Sequence, residues 1–306
     1  MTSSTPSTAN TRRDFLKTST AALATASLPY WFTSATPAEA AYRSANERPV
    51  VGCIGTGSRW GGVGPQAMRF GDVAAVCDVD TAHAKRGQDR GKRTQKKDGK
   101  EPTVDVYGDY RKILDRKDID VVTIVTPDHW HTLISVMALR SGKDVQCEKP
   151  TLTIGEGKTL IREVRKRGKV LQTSTEDRAV PVYHRMAELV RNGRVGKLEK
   201  IEVILPKQPT VPGNPTPQPV PPDLDYDMWL GPAPEAPYTK DRVHFHFRWI
   251  WDYSGGIICD WGTHLFDTAQ WANNTERSGP TEVDGKGNHW EGGLYDTVKD
   301  LSLIHI

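Results

Sequence analysis

From Val50 to Ser174, short apolar runs alternate with stretches of helical pattern. Val50-Val51-Gly52-Cys53-Ile54, Val73-Ala74-Ala75-Val76-Cys77, Thr103 to Tyr107, Asp120 to Thr126, Asp144 to Cys147 and Val170 to Ser174 read as strands. Helices are expected after the first run, over the charged stretch Ala82 to Lys97, over Tyr110 to Arg116, from Pro127 to Ser141-Gly142, and over Ile154 to Arg167. The run at 120–126 is almost continuously apolar, as a parallel strand covered on both faces requires. Strand and helix alternating at this spacing predict a doubly wound parallel sheet.

After Ser174 the pattern changes. Pro181 to Asn192 predicts a helix stopped by Gly193, and Leu198 to Leu205 a strand, from its alternation and β-branched content. Pro206 to Pro222 is proline-rich and contains Gly213 and Asn214, which excludes a helix or a central strand. It reads as a long loop within a domain, because structured patterns resume after it. Phe245-His246-Phe247-Arg248-Trp249-Ile250-Trp251 suits either a sugar-binding wall or an aromatic core strand. A helix is expected to begin near Asp260 and to run to Trp271.

Length and composition add bounds. The 306 residues, 37% of them hydrophobic, suffice for two domains with a sizeable core. The formal net charge of +3 argues against a nucleic-acid or membrane-surface role. Nine Trp point to a lined pocket or large interfaces, and a core explains them equally. Cys53, Cys77, Cys147 and Cys259 lack metal-ligand spacing and read as reduced, structural residues, so no metal site is expected. Thr11-Arg12-Arg13-Asp14-Phe15-Leu16-Lys17, a mild apolar run from Ala21 to Leu28, and Ala38-Glu39-Ala40 before Ala41 resemble a twin-arginine export signal over residues 1–40. That reading predicts an exported protein, handled by the twin-arginine translocation machinery and carried in folded form. The apolar run is too short for stable membrane insertion.

The candidate chemistry gathers where strands end. Val50 to Ile54 runs into Gly55-Thr56-Gly57-Ser58-Arg59-Trp60-Gly61, the form of a dinucleotide-binding turn opening a helix. Gly55 permits the tight turn, Gly57 lets a pyrophosphate approach the backbone, and the helix N-terminus holds its charge. The third glycine falls one residue late, because Trp60 stands in its place. Asp78, closing the second strand about 20 residues on, suits the ribose hydroxyls and disfavours a 2′-phosphate, whereas Arg59 is a natural phosphate partner. Thr126-Pro127 and Glu148-Lys149-Pro150 also fall at carboxyl ends of strands, the ligand side of such a sheet. Further on, Asp260 and His264 are four apart, on one face of a helix. A carboxylate beside an imidazole makes a tunable general base, and the same pair also suits an N-cap with a satisfied histidine.

The glycine turn, Thr126-Pro127…His131, Glu148-Lys149-Pro150 and Asp260…His264 together resemble the Gfo/Idh/MocA family of NAD(P)-dependent oxidoreductases, over roughly residues 48–300. The resemblance implies a Rossmann domain over 41–174. An α+β domain with an open, mostly antiparallel sheet, incomplete here, would follow over 175–300 and serve substrate binding and homo-oligomer formation. It implies cofactor contacts from Gly55, Gly57, Ser58, Arg59, Trp60, Asp78, Thr126, Pro127, His131, Glu148 and Lys149. Lys149 would stand between nicotinamide and substrate, before a proline that is often cis. His264 would take the substrate hydroxyl proton, with Asp260 orienting it. NAD, with NADP as the alternative, is the implied cofactor, and a sugar, cyclitol or polyol the implied substrate. A glycoside hydrolase using NAD transiently and a non-catalytic sugar-binding protein stay open as alternatives. The family's second domain needs further strands, so the chain reads as C-terminally truncated. Leu301 to Ile306 resembles non-native read-through.

Overall fold

The computed structural model describes residues 48–97, 99–206 and 211–305. The twin-arginine stretch and its expected cleavage site lie outside them. Six parallel strands form one sheet in the order β3-β2-β1-β4-β5-β6. They are β1 (Val50–Ile54), β2 (Asp72–Cys77), β3 (Asp105–Tyr107), β4 (Val121–Ile124), β5 (Asp144–Cys147) and β6 (Leu171–Thr173). This is the order of a dinucleotide-binding sheet, in which the chain reverses direction across the sheet between β1 and β4. The crossovers are α1 (Trp60–Phe70), α2 (Thr81–Thr94), α3 (Tyr110–Asp115), α4 (Asp128–Arg140) and α5 (Ile154–Arg167).

Alternation along the strands divides the core between the two faces of the sheet. Val51 and Cys53 of β1 join Val73 and Val76 of β2 beneath Trp60 and Met68 of α1. Ile54, Cys77, Val122 and Ile124 face the other way, against Ile113, Ile134 and Leu139. The helix ends are locally specified. Asp80 caps α2 by accepting from His83 N (2.9 Å), and Thr153 with Glu156 forms a reciprocal capping box on α5. By contrast, α1 opens without a side-chain cap.

Beyond β6 the chain makes a 3₁₀ turn (Glu176–Ala179), α6 (Pro181–Arg191), α7 (Tyr226–Leu230) and a second 3₁₀ turn (His246–Trp249). A π-turn (Ile258–Gly262) then leads into α8 (Thr263–Ala272), and β7 (Val283–His289) pairs antiparallel with β8 (Val298–His305). One expectation needs correction and one alternative is removed. Leu198 to Leu205 forms no strand, because no neighbouring strand pairs with it and Ile204 stands 78% exposed. Of the two readings left open for Phe245 to Trp251, the strand falls: residues His246–Trp249 form a 3₁₀ turn, with Phe247, Trp249 and Ile250 buried among Tyr226, Trp229 and Tyr253. The antiparallel sheet is limited to β7 and β8 among the described residues.

The second half is fastened to the first through the opening turn of α4. Asp128 accepts from Ser254 Oγ (2.6 Å), and Trp130 Nε1 donates to Trp229 O (3.0 Å). Gly231 follows at φ +52, where a Cβ would lie 1.9 Å from the Trp130 ring. Only glycine fits such a contact. All four cysteines are free, and burial pushes the thiol of Cys53 up to about 11, as inert structural residues require. No helix among the described residues is long and apolar enough to cross a membrane.

Candidate active site

A cavity of about 730 Å³ opens along the carboxyl ends of β1, β2, β4 and β5 and continues beneath the π-turn. At one end lies the glycine turn. Gly55 has φ +81, and a Cβ there would come within 2.5 Å of Val125 O. A Cβ on Gly57 would meet nothing nearer than His83, at 3.6 Å. The turn therefore leaves bare backbone, and the uncapped N-terminus of α1, facing the cavity. These features fit the pyrophosphate of a dinucleotide. Asp78 is fixed beside the turn: Thr56 N donates to Oδ2 (2.7 Å) and Asp80 N to Oδ1 (3.0 Å).

Next to Asp78, the rings of His83 and His244 meet edge to face at 4.7 Å, and His244 Nε2 lies 3.5 Å from Asp80 Oδ2. Ligand atoms of Asp80, His83 and His244 all lie within 4.8 Å of one another. Sequence spacing gave no hint of this cluster, because His244 arrives from the far half of the chain. The Asp78 carboxylate, 3.8 Å from His83 Nδ1, raises the pKa of His83, whereas burial lowers that of His244.

Of the expected cofactor residues, Gly55, Gly57, Ser58, Arg59, Asp78, Thr126, Pro127, His131, Glu148 and Lys149 line this one cavity. The side chain of Trp60 does not, so of that residue only the backbone at the start of α1 stands beside the turn. Trp60 is 2% exposed and lies in the core against Gly64, where a Cβ would come within 2.5 Å of its ring. Arg59 spans the cleft, its Nε 2.7 Å from Glu148 Oε1 and a terminal nitrogen on Glu176. His131 has both ring nitrogens on backbone carbonyls, Pro150 O (2.9 Å) and Thr126 O (2.8 Å). It holds two strand-end loops together and turns no polar atom to the cavity. Thr126 Oγ1, in contrast, is buried without a partner.

At the other end, Lys149 precedes a cis proline and is 9% exposed. Its Nζ donates to Asp260 O (2.8 Å) and Oδ1 (2.9 Å). Arg248 Nε lies 3.2 Å from the same carboxylate oxygen. Burial acts to raise the Asp260 pKa, but the charges of Lys149 and Arg248 outweigh it and hold the carboxyl below its ordinary range. Asp260 therefore does not serve His264 as the spacing suggested. The π-turn over Ile258–Gly262 breaks the α-helical register that would stack residues four apart, and turns Asp260 towards Lys149. The carboxylate beside His264 is Glu176, with Oε2 at 3.9 Å from Nδ1; both atoms are buried without a hydrogen bond. Glu176 and Arg248 are thus the site residues that motif reasoning missed. The aromatic–basic run was a signal for Arg248 alone, and Glu176 had none.

The chain matches the "Oxidoreductase family, NAD-binding Rossmann fold" over residues 49–175 and the "Oxidoreductase family, C-terminal alpha/beta domain" over residues 212–300. It belongs to the Gfo/Idh/MocA oxidoreductase family, and residues 49–175 are that family's NAD-binding domain. It is 29% identical to the inositol 2-dehydrogenase of Salmonella typhimurium over 149 residues, 48% of this chain and 42% of that protein. The levoglucosan dehydrogenase of Pseudarthrobacter phenanthrenivorans is 33% identical over 91 residues, 29% of this chain and 23% of that protein. The matched part is thus less than half the length of either relative. Among solved structures, the WlbA dehydrogenase of Bordetella pertussis, in complex with NADH and UDP-GlcNAcA, superposes with a TM-score of 0.61 at 14% identity, covering 85% of this chain and 63% of that one. A levoglucosan dehydrogenase complex with NADH and L-sorbose gives 0.59 at 20% identity, covering 84% and 63%. At these identities the superpositions establish the fold alone.

Proposed function

We propose that the chain is an exported NAD(H)-dependent dehydrogenase acting on a CH–OH group of a sugar, cyclitol or related polyol. The observation that carries this reading is the meeting, in one cavity, of the bare glycine turn with Lys149, Asp260 and His264. When bound, a nicotinamide supplies a two-electron hydride acceptor. Gly55, Gly57 and the first turn of α1 hold the pyrophosphate, and Asp78 takes the ribose hydroxyls and repels a 2′-phosphate, which favours NAD(H) over NADP(H). Lys149, oriented by Asp260, polarises the reacting oxygen and stabilises the developing alkoxide. His264 takes the hydroxyl proton at Nε2, since Nδ1 is buried against Glu176.

Two measurements test this. Absorbance and mass analysis of the purified protein should show NAD(H) co-purifying or binding more tightly than NADP(H), and inositols and aldoses should reduce it. A clear preference for NADP(H), or no oxidation of any sugar or polyol tried, sinks the assignment. Export rests on Arg12 and Arg13: replacing both by lysine should strand the precursor in the cytoplasm. Mature protein found outside in fractionation would refute that part.

A further inference from the structure

At the glycine-turn end of the cavity, three side chains converge that the proposed chemistry does not use. Asp80 caps α2, His83 lies in its first turn, and His244 comes from the segment before the second 3₁₀ turn. One ligand atom from each lies within 4.8 Å of the other two. Asp80 is fixed in place: its Oδ1 accepts from His83 N at 2.9 Å, while Oδ2 lies 3.5 Å from His244 Nε2. Asp78 Oδ1, 3.8 Å from His83 Nδ1, supplies a carboxylate of the kind that fixes the tautomer and angle of a metal-binding imidazole. The mounting is firm as well, because Thr81 N donates to Asp223 O and Asp225 N to Val79 O, each at 2.9 Å. His244 is held at φ +55, a left-handed conformation that persists only where the surroundings impose it.

The donor set selects the ion. Two imidazoles and one carboxylate suit zinc and its first-row neighbours, whereas magnesium and calcium take oxygen donors. Zinc imposes no geometry of its own and is commonly held by three protein ligands with one position open. A tetrahedral site with donors at about 2.0–2.1 Å has edges of about 3.3 Å. The pair Asp80–His244, at 3.5 Å, is already close to such an edge. The remaining closure falls to His244, whose side chain is 42% exposed against 19% for His83 and 14% for Asp80. A cation here meets the positive end of the α2 dipole and the exposed Arg86, and the carboxylates of Asp78 and Asp80 stand against both. We propose that Asp80, His83 and His244 form a zinc-type metal site. The ion joins α2 of the first half to the His244 segment of the second, and its fourth position opens to the cavity that both histidines line. This site stands apart from the dehydrogenase reading and does not need it.

Titrating the full chain, without a histidine tag, with Zn²⁺ by calorimetry and with Co²⁺ by visible absorbance tests the site. One equivalent should bind, and the Co²⁺ complex should show the strong visible bands of a tetrahedral ion, which the hydrated ion lacks. His244→Asn removes an imidazole yet keeps a residue type tolerated at φ +55. Asp80→Asn removes the carboxylate charge while preserving a cap on α2. Each variant should lose the Co²⁺ bands and bind Zn²⁺ more weakly by at least the roughly 10- to 100-fold that losing an orienting partner alone costs. Zn²⁺ should raise the urea midpoint of the unsubstituted chain and leave that of His244→Asn unmoved, a comparison that holds even if Asp80→Asn folds poorly. Undiminished one-equivalent binding in His244→Asn would overturn the site. So would several weak equivalents carrying the spectrum of the hydrated ion, which would place the metal on scattered surface groups. Neither result touches NAD(H) binding or sugar oxidation, which are measured separately.

Discussion

The two halves of the described chain are held together by different means. Up to β6, strands and helices alternate, and the central strands β1 and β4 lie between partners on both sides. Residues such as Cys53, Ala75, Val122 and Ile124 are wholly or almost wholly buried. After β6 there is little sheet: β7 is exposed along its whole length, and the core is an aromatic cluster assembled from short turns and loops. Trp229 lies 5.0 Å from Tyr253 and 5.9 Å from Tyr226, ring to ring. Such pairs add about 0.5–1.5 kcal/mol each beyond burial. The first half presents rigid backbone, namely bare amides, strand ends and a helix N-terminus. The second carries long side chains on irregular segments up to that edge: Arg248 from a 3₁₀ turn, Asp260 from a π-turn and His264 from the start of α8. The frame that fits a cofactor comes from regular structure, and most of the charged side chains brought up to it come from its opposite.

This division breaks most visibly if the second half proves dispensable for catalysis. His264→Ala and Lys149→Ala should each lower turnover by about 10²–10⁴, the usual value of a general base or of a charge at a developing alkoxide. NADH affinity should change only a few-fold, because neither residue belongs to the glycine turn. Near-normal turnover in His264→Ala would place the chemistry wholly in the first half.

The converse test strikes the frame. Gly55→Ala puts a Cβ at φ +81 and within 2.5 Å of Val125 O, a backbone atom of the adjoining strand end that cannot swing aside. Left-handed strain and overpacking together should cost about 2–5 kcal/mol in urea unfolding and should abolish NADH binding. A variant of normal stability that still binds NADH would show that the turn is looser than its geometry.

A third prediction concerns the join. His129 Nε2 lies 3.0 Å from Trp229 O, and burial pushes the ring's pKa down from 6.5 to about 4. With the folded-state value depressed, the unfolded chain takes up the proton first as pH falls. Stability should therefore decline from about pH 6.5 down to about pH 4 and then level off, by up to about 3 kcal/mol. His129→Gln keeps a donor in place and removes the titration, so its urea midpoint should vary less over that window. An unchanged slope would mean that other groups set the acid response.

How far the sequence foretold all this follows the same division. Continuous apolar runs at short spacing can satisfy their backbone only as parallel strands with crossovers, so β1 to β6 and the site edge at Gly55, Asp78, Thr126 and Lys149 were readable from residues alone. Trp60 misled because a position in a motif does not say whether a side chain turns to ligand or core. The pairing of Asp260 with His264 misled because four-residue spacing presumes α-helical pitch, and nothing in Cys259-Asp260-Trp261 announces a π-turn. Glu176 and Arg248 belong to no local motif; they matter through partners far away in the chain, which periodicity cannot reveal.

The smallest effect expected tests the segment where periodicity failed. Leu198 to Leu205 alternates like a strand, yet a strand is defined by its ladder, and this segment has no ladder partner among the described residues. With Ile204 78% exposed, Ile204→Ala removes a side chain that is already in water, and should change stability by less than about 0.5 kcal/mol. Ile124→Ala supplies the contrast. That residue is 0% exposed in β4, and its truncation should cost about 2–5 kcal/mol. The two substitutions delete the same atoms, so the difference between them measures packing and not residue type. A loss at Ile204 approaching that at Ile124 would mean that the segment is covered, by a pairing strand or by a second copy of the chain. In that case the second half would possess a sheet face of its own, and the contrast between the halves would narrow.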